Sequence, residues 1–409
     1  MSLGVDVRTP LVLVAGLESD AVAEQVWRTT SDAVLVHHDL SRIAEGVVRR
    51  RVRRGEREQL ELLELAHGCV SCTLREDLLP LLRRLAARDD VPKIVLHLDA
   101  SLEPEAVCWA LHHVLVGDTT VSTVVDIEAV VTVVDRATFL SDASGDAPLA
   151  ERGLGAAVED ERTVAQVVVG QVEFADALVL TGPSPDAWSA ARTAAVLDRL
   201  APGAPWQELA FLDIPALLAA IPSGARRGRL DHAHGPLLRG QPPLDPECGV
   251  SVVVFSDRRP FHPTRLHDAL DVLLDGVIRS RGRVWVASQP DVALWLESAG
   301  GGLRVGHAGP WLATVDDWSE VDPERQAMAS LTWDPYYGDR AQDLVVIAHL
   351  AAPEEIVAAL NGALLTDEEL AEGEAGWATY SDPFGDWHED PCEDMDVEEL
   401  TQGNRKEEQ

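Results

Sequence analysis

The strongest constraint on this chain is an alternation. Short apolar runs of strand length recur between stretches with helical spacing. Residues 9–16, Thr-Pro-Leu-Val-Leu-Val-Ala-Gly, read as a first strand, and 20–30 as a helix. Residues 33–37, 91–98, 129–134 and 177–180 read as further strands. Residues 161–174 are helical or mixed, and Leu78, Leu79, Leu82 and Leu85 recur at helical spacing. Strands that are apolar throughout need cover on both faces, which helices between parallel strands supply. The expectation is an α/β fold, a P-loop-like doubly wound parallel sheet, over residues 1–221.

The pattern then changes. Residues 222–248 are rich in Pro, Gly, Arg and His without periodicity, and read as a linker. Beyond it, 250–256, 282–288, 302–305 and 343–350 read as strands, and 262–278 and 353–364 as helices. That predicts a smaller α+β domain over 249–375. From Thr366 onward there are 16 acidic and 2 basic residues. The end of the chain, 376–409, reads as an acidic tail.

A strand followed by a glycine and a helix is where a phosphate-binding loop sits. Such a loop uses glycines so that backbone N–H groups reach phosphate oxygens, a Lys for the outer phosphates, and a Ser or Thr for magnesium. Here the segment is Gly16-Leu17-Glu18-Ser19-Asp20-Ala21-Val22-Ala23. Gly16 is retained. Val22 stands at the Lys position and Ala23 at the hydroxyl position. Glu18 and Asp20 would face phosphates with like charge, at about 4 kcal/mol for charges 4 Å apart at an effective dielectric of 20. The loop argues against tight triphosphate binding and against hydrolysis.

The chemistry-bearing segment is His67-Gly68-Cys69-Val70-Ser71-Cys72-Thr73. Two thiolates at Cys-x-x-Cys spacing on a turn reach one tetrahedral zinc, and Thr73 is placed to cap the next helix. Two sulfurs leave ligands to find. His67, His38 and Asp39 are the candidates, with His37 beside them; His388 and Cys392 form a weaker pair. A redox Cys-x-x-Cys is the other chemistry for the same spacing. Five cysteines, sparse and odd in number, fit a reducing cytoplasm better than a disulfide framework. No run reads as a membrane span or a signal peptide.

Charge narrows the partners. The formal net charge is −35, which disfavours DNA and nucleic acid in general. Within it, Arg49, Arg50, Arg51, Arg53, Arg54 and Arg57 form a dense basic cluster on residues 49–65, which read as a polar helix. Arg50, Arg51 and Arg54 are the candidates for contact with phosphates or with an acidic protein face.

Taken together these segments resemble the CobW family of metal-linked P-loop GTPases. Gly68-Cys69-Val70-Ser71-Cys72-Thr73-Leu74-Arg75 is similar to its cysteine motif, with Ser71 at the middle Cys. Phe174-Ala175-Asp176 resembles the approach to its base-reading strand. Thr181-Gly182-Pro183-Ser184 replaces the Asn-Lys-x-Asp that reads guanine. Arg259-Pro260-Phe261-His262-Pro263, the glycines at 300–302, and Trp333-Asp334-Pro335 resemble parts of its C-terminal domain.

A narrower resemblance joins residues 65–72, 163–170 and 382–388 to an actinobacterial branch that acts when zinc is scarce. In the family an acidic residue after the second strand joins the cysteines at the metal, and His38 and Asp39 lie near that point. The resemblance implies zinc as the metal. It also implies an adaptor that brings a ribosome hibernation factor to the small ribosomal subunit. A GTP-dependent zinc metallochaperone and a redox protein are the alternatives.

Overall fold

The structure is a computed structural model that describes residues 8–65, 69–155, 157 and 160–385. Ten strands belong to its first part. They are β1 (Thr9–Ala15), β2 (Val34–Asp39), β3 (Val47–Arg54), β4 (Arg57–Glu64), β5 (Ile94–His97), β6 (Leu115–Val116), β7 (Thr119–Thr120), β8 (Val125–Asp135), β9 (Ala177–Thr181) and β10 (Trp206–Glu208). β6 and β7 pair only with each other; the other eight form one sheet in the order β10-β9-β8-β1-β5-β2-β3-β4. From β10 to β2 every pairing is parallel, and β3 and β4 add an antiparallel hairpin at one edge.

The apolar runs are explained by cover on both faces. Leu11, Val12, Leu13 and Val14 of β1 are all fully buried. Val12 and Val14 point to one face, where the helix Asp20–Arg28 lays Val22, Ala23, Val26 and Trp27. Leu11 and Leu13 point to the other, under Leu79, Leu82 and Leu85 of the helix Leu79–Ala86. This is the doubly wound arrangement expected from the alternation.

Residues 49–65 are a correction. They form the β3–β4 hairpin, not a helix. Gly55 turns the chain, and the arms are complementary in charge: Arg50 lies opposite Glu61 and Arg53 opposite Glu58. Cross-strand ion pairs and packing of Val48 and Val52 beneath the hairpin outweigh the helical propensity of Arg, Glu and Leu.

The second part holds β11 (Ser251–Asp257), β12 (Val277–Val284), β13 (Val292–Ala299), β14 (Gly302–Pro310) and β15 (Gln342–Ala348) in one antiparallel sheet, ordered β11-β15-β12-β13-β14. The helices Pro263–Ala269 and Pro353–Ala363 pack on it. The helix expected over 262–278 is shorter, because β12 begins at Val277. β13 was not among the expected strands.

The stretch 222–248 has no helix or strand, yet it is strapped to both parts. Arg281 and Arg283 of β12 donate to the carbonyls of Leu237 and Gly235. Arg239 donates to the Glu173 carbonyl at 2.9 Å and Arg199 to that of Asp245 at 2.7 Å. Burial alone would raise the Glu173 carboxyl, but Arg279 and Arg281 hold it far below the usual range.

The acidic end is also partly built in. Thr366 and Glu369 form a capping box that starts the helix Asp367–Trp377. Trp377 is 4% exposed and packs with Trp285 and Trp311. The folded body therefore reaches past 375, and Trp377 anchors the chain to itself rather than to a partner. No helix among the described residues is long and apolar enough to cross a membrane.

Candidate nucleotide and metal site

The carboxyl ends of β1, β2 and β5 open on one cavity of about 270 Å³. Gly16, Ser19, Asp20, His37, Asp39, Arg49, Arg51, His97 and Asp99 line it. In a sheet of this topology that is where a ligand is bound.

The loop after β1 is tight. Gly16 has φ +130°, and a Cβ there would lie 2.6 Å from the Val133 carbonyl oxygen of β8. Any side chain would push the loop off the sheet. Ser19 precedes the helix, and its hydroxyl is committed. It is 3.1 Å from the Gly16 carbonyl and 2.9 Å from His97 Nε2. Both contacts are satisfied when Ser19 Oγ–H donates to Gly16 and His97 Nε2–H donates to Ser19. Val22 and Ala23 are 0% and 1% exposed, packed on Val12, Val14 and Val133. They face the core, away from any phosphate.

Two imidazoles form the floor of the cavity. His37 and His97 stack with centroids 4.4 Å apart, and His37 Nδ1–H donates to the His97 carbonyl at 3.0 Å. Burial, with the His37 ring as neighbour, lowers the His97 pKa to about 4. His97 is thus neutral at pH 7, as its hydrogen bond to Ser19 requires.

His38 alternates to the opposite face of β2. It is buried, and its Nε2 meets Asp77 Oδ2 at 2.7 Å. Burial pushes Asp77 up, but His38, Arg50 and Arg84 outweigh it and leave the carboxyl below its ordinary value. Asp39 accepts from the Ser41 N–H at 2.9 Å and pairs with Arg49. Burial is opposed there by Ser41 and Arg49, which lower its pKa.

Cys69 is the N-cap of the short helix Val70–Thr73, and its Sγ accepts from the Cys72 N–H at 3.4 Å. The cap is therefore the thiol of Cys69 and not Thr73, whose hydroxyl donates to the Cys69 carbonyl. Both cysteines are half-exposed and reduced. Ser71, at the place of the family's middle cysteine, is exposed.

The expected ligand set does not assemble among the described residues. They contain no group of three or more His, Cys, Asp or Glu placed to hold a metal. His38 and Asp39 are engaged with Asp77 and Arg49. His67, His388 and Cys392 lie outside the described residues. The described site thus offers two sulfurs and no third ligand.

Most of the arginine cluster is likewise engaged. Arg50 is 9% exposed and bonds Asp77 and Glu61. Arg51 pairs with Glu58, Arg53 with Glu24 and Arg54 with Asp90. Such paired guanidinium groups are poor phosphate ligands, because binding a phosphate would break an ion pair already formed inside the molecule.

The second loop of a nucleotide site, after β9, is also filled. The Asp135 carboxylate sits against the Cα of Gly182, where no side chain fits. Arg136 donates to the Gly182 carbonyl at 3.0 Å and pairs with Glu208 at 2.7 Å. Sequence reasoning did not find Arg136. Its only signal was its place directly after a buried strand.

Comparison with known proteins decides the family. Residues 30–205 match the CobW/HypB/UreG nucleotide-binding domain, and 250–364 match the cobalamin synthesis protein CobW C-terminal domain. A Mycobacterium tuberculosis protein named a zinc chaperone is 47% identical over 401 residues, covering 95% of this chain and 96% of its own. The chain belongs to the CobW family. A second relative, the zinc-regulated GTPase metalloprotein activator 1 of Dictyostelium discoideum, is 27% identical over 82% of this chain and 72% of its own. The zinc-bound YjiA GTPase of E. coli aligns over 88% of this chain and all of its own, at 14% identity and TM-score 0.36, too distant to carry an argument.

Proposed function

We propose that this CobW-family protein carries zinc as cargo on the thiols of Cys69 and Cys72, in the cytoplasm, without turning over GTP. The observation that carries the reading is the 47% identity, end to end, with a protein named a zinc chaperone. The GTP clause rests on geometry. A lysine at position 22 would have to leave the core to reach a phosphate, and the loop after β9 is occupied by Asp135 and Arg136.

Two thiolates at a helix start are good zinc donors, and a carrier benefits from an incomplete shell, because the acceptor can supply the remaining ligands. Recruitment of a ribosome hibernation factor to the small ribosomal subunit draws no support from the relatives' names. That reading rests on the resemblance alone, and Arg50, Arg51 and Arg54, the candidate contacts, are in ion pairs with Asp77, Glu58 and Asp90 of the same chain.

Zinc titration against a chromophoric chelator tests the proposal. The wild type should bind one zinc, and Cys69→Ser/Cys72→Ser should weaken it by about 100-fold or more. Equal affinity in the two proteins would falsify it. A fluorescent GTP analogue should show no saturable binding to the wild type.

A further inference from the structure

We propose that β4 is the contact edge of a two-fold dimer, in which two copies join their large sheets antiparallel with Gln59 on the axis. β4 is the last strand of the eight-stranded sheet, and no described residue pairs with its outer edge. It runs for eight residues, all of them exposed except the half-buried Leu63. Leu60 is 59% and Leu62 67% exposed, on the face that also carries Arg49 and Arg51. A long exposed strand with open backbone donors and acceptors, carrying two bare leucines, is a template for another strand.

The charges on β4 choose the occupant and the register. Arg57 is the one arginine of the cluster without an ion-pair partner among the described residues; the others have acids within the chain. A two-fold axis normal to the sheet keeps like faces together. With Gln59 on that axis, Arg57 of each copy lies opposite Glu61 of the other. Glu61 uses Oε2 for Arg50 and has Oε1 to spare. Glu58 lies opposite Leu60, and the two Leu60 side chains meet diagonally within reach of each other.

Neighbouring registers are worse. Centring on Leu60 sets Glu56 against Glu64. Centring on Glu61 sets Glu58 against Glu64 and Glu61 against itself. Like charges directly opposite are destabilising. Of the registers with the axis on a residue of β4, only the one centred on Gln59 sets Arg57 opposite an acid, as an isologous contact between complementary charges requires. A contact of about five paired residues a side is small, so the dimer is a weak one, with Kd in the range of about 10–100 µM.

Sedimentation equilibrium of the full chain from about 5 to 300 µM tests this across the expected Kd. Arg57→Glu sets a carboxylate opposite a carboxylate at both ends of the contact, and Glu61→Arg likewise sets two pairs of guanidinium groups face to face. Each variant alone should raise the dimer Kd by about tenfold or more. Mixed one to one, they should form a heterodimer, because both cross-strand pairs become opposite in charge again. Since Glu61→Arg also costs Arg50 a partner, circular dichroism checks its fold, and Leu60→Lys provides a second variant that should dissociate the dimer. A wild type that stays monomeric over the range overturns the proposal. So does a dimer that all three substitutions leave intact, or single variants whose mixture does not associate.

Discussion

The loop after β1 and the turn at Cys69 began from the same expectation, a ligand-binding site at the head of a helix, and they differ in one respect. The β1 loop has satisfied itself. Ser19 is bonded to Gly16 and His97, and Val22 and Ala23 are core residues. The cysteine turn keeps its thiols nearer the surface: Cys69 and Cys72 are half-exposed, and the Cys72 N–H donates to Cys69 Sγ at 3.4 Å. A loop that has lost its ligand chemistry acquires internal partners, because buried polar groups need them. A turn that keeps soft donors at the surface leaves them accessible to the proposed zinc cargo. The contrast sets a packed scaffold beside an accessible turn within one family frame.

The contrast can be broken by restoring what the β1 loop lacks. Val22→Lys/Ala23→Ser should cost about 4 kcal/mol in urea denaturation, since it places an unpaired charge in the core. It should gain no GTP binding. Recovery of nucleotide binding at small cost would show that the loop is still a phosphate site.

His97 sharpens the contrast through pH. Its folded pKa of about 4 lies below the ordinary 6.5, so the neutral form is the folded one. Its contribution is complete above pH 6.5 and is lost as pH falls toward 4, by about 3 kcal/mol in all. Replacing it with Gln should flatten that part of the stability profile; an equally steep profile in the variant would assign the loss to other groups. Gly16→Ala should cost about 2 kcal/mol, from the contact with Val133 and the positive φ. Smallest of all, Cys69→Ser/Cys72→Ser should change stability by less than about 0.5 kcal/mol, because neither thiol is buried. A larger loss would make the cysteines structural.

The sheet was legible where the physics is one-dimensional. β1, β5, β8 and β9 are buried on both faces, so their apolar runs stand out without knowledge of their neighbours. The hairpin was not legible, because its stability lies in cross-strand pairs such as Arg50 with Glu61 that a scan along the chain does not register. Gly55 between an arginine arm and a glutamate arm was the available signal. β13 escaped because Val292–Ala299 mixes Trp295, Glu297 and Ser298 into a strand with an apolar inner face. Trp377 was hidden among acids whose capping role only the helix reveals.

At the site, Cys69, Cys72 and the loss of the phosphate lysine could be read directly. The engagement of His38 by Asp77 could not, since it depends on which face of β2 each histidine takes. His37 and His97 are brought together from strands 60 residues apart, and only the parallel register of β2 with β5 reveals it.

The most direct test of the account is the zinc affinity of the wild type measured with and without saturating GTP and magnesium. Binding coupled to a nucleotide must appear in both directions, so any linkage shifts the zinc Kd. A protein that carries zinc without a nucleotide switch should give the same Kd in both conditions. A shift of about fivefold or more would contradict it and return the β1 loop to service as a working phosphate site.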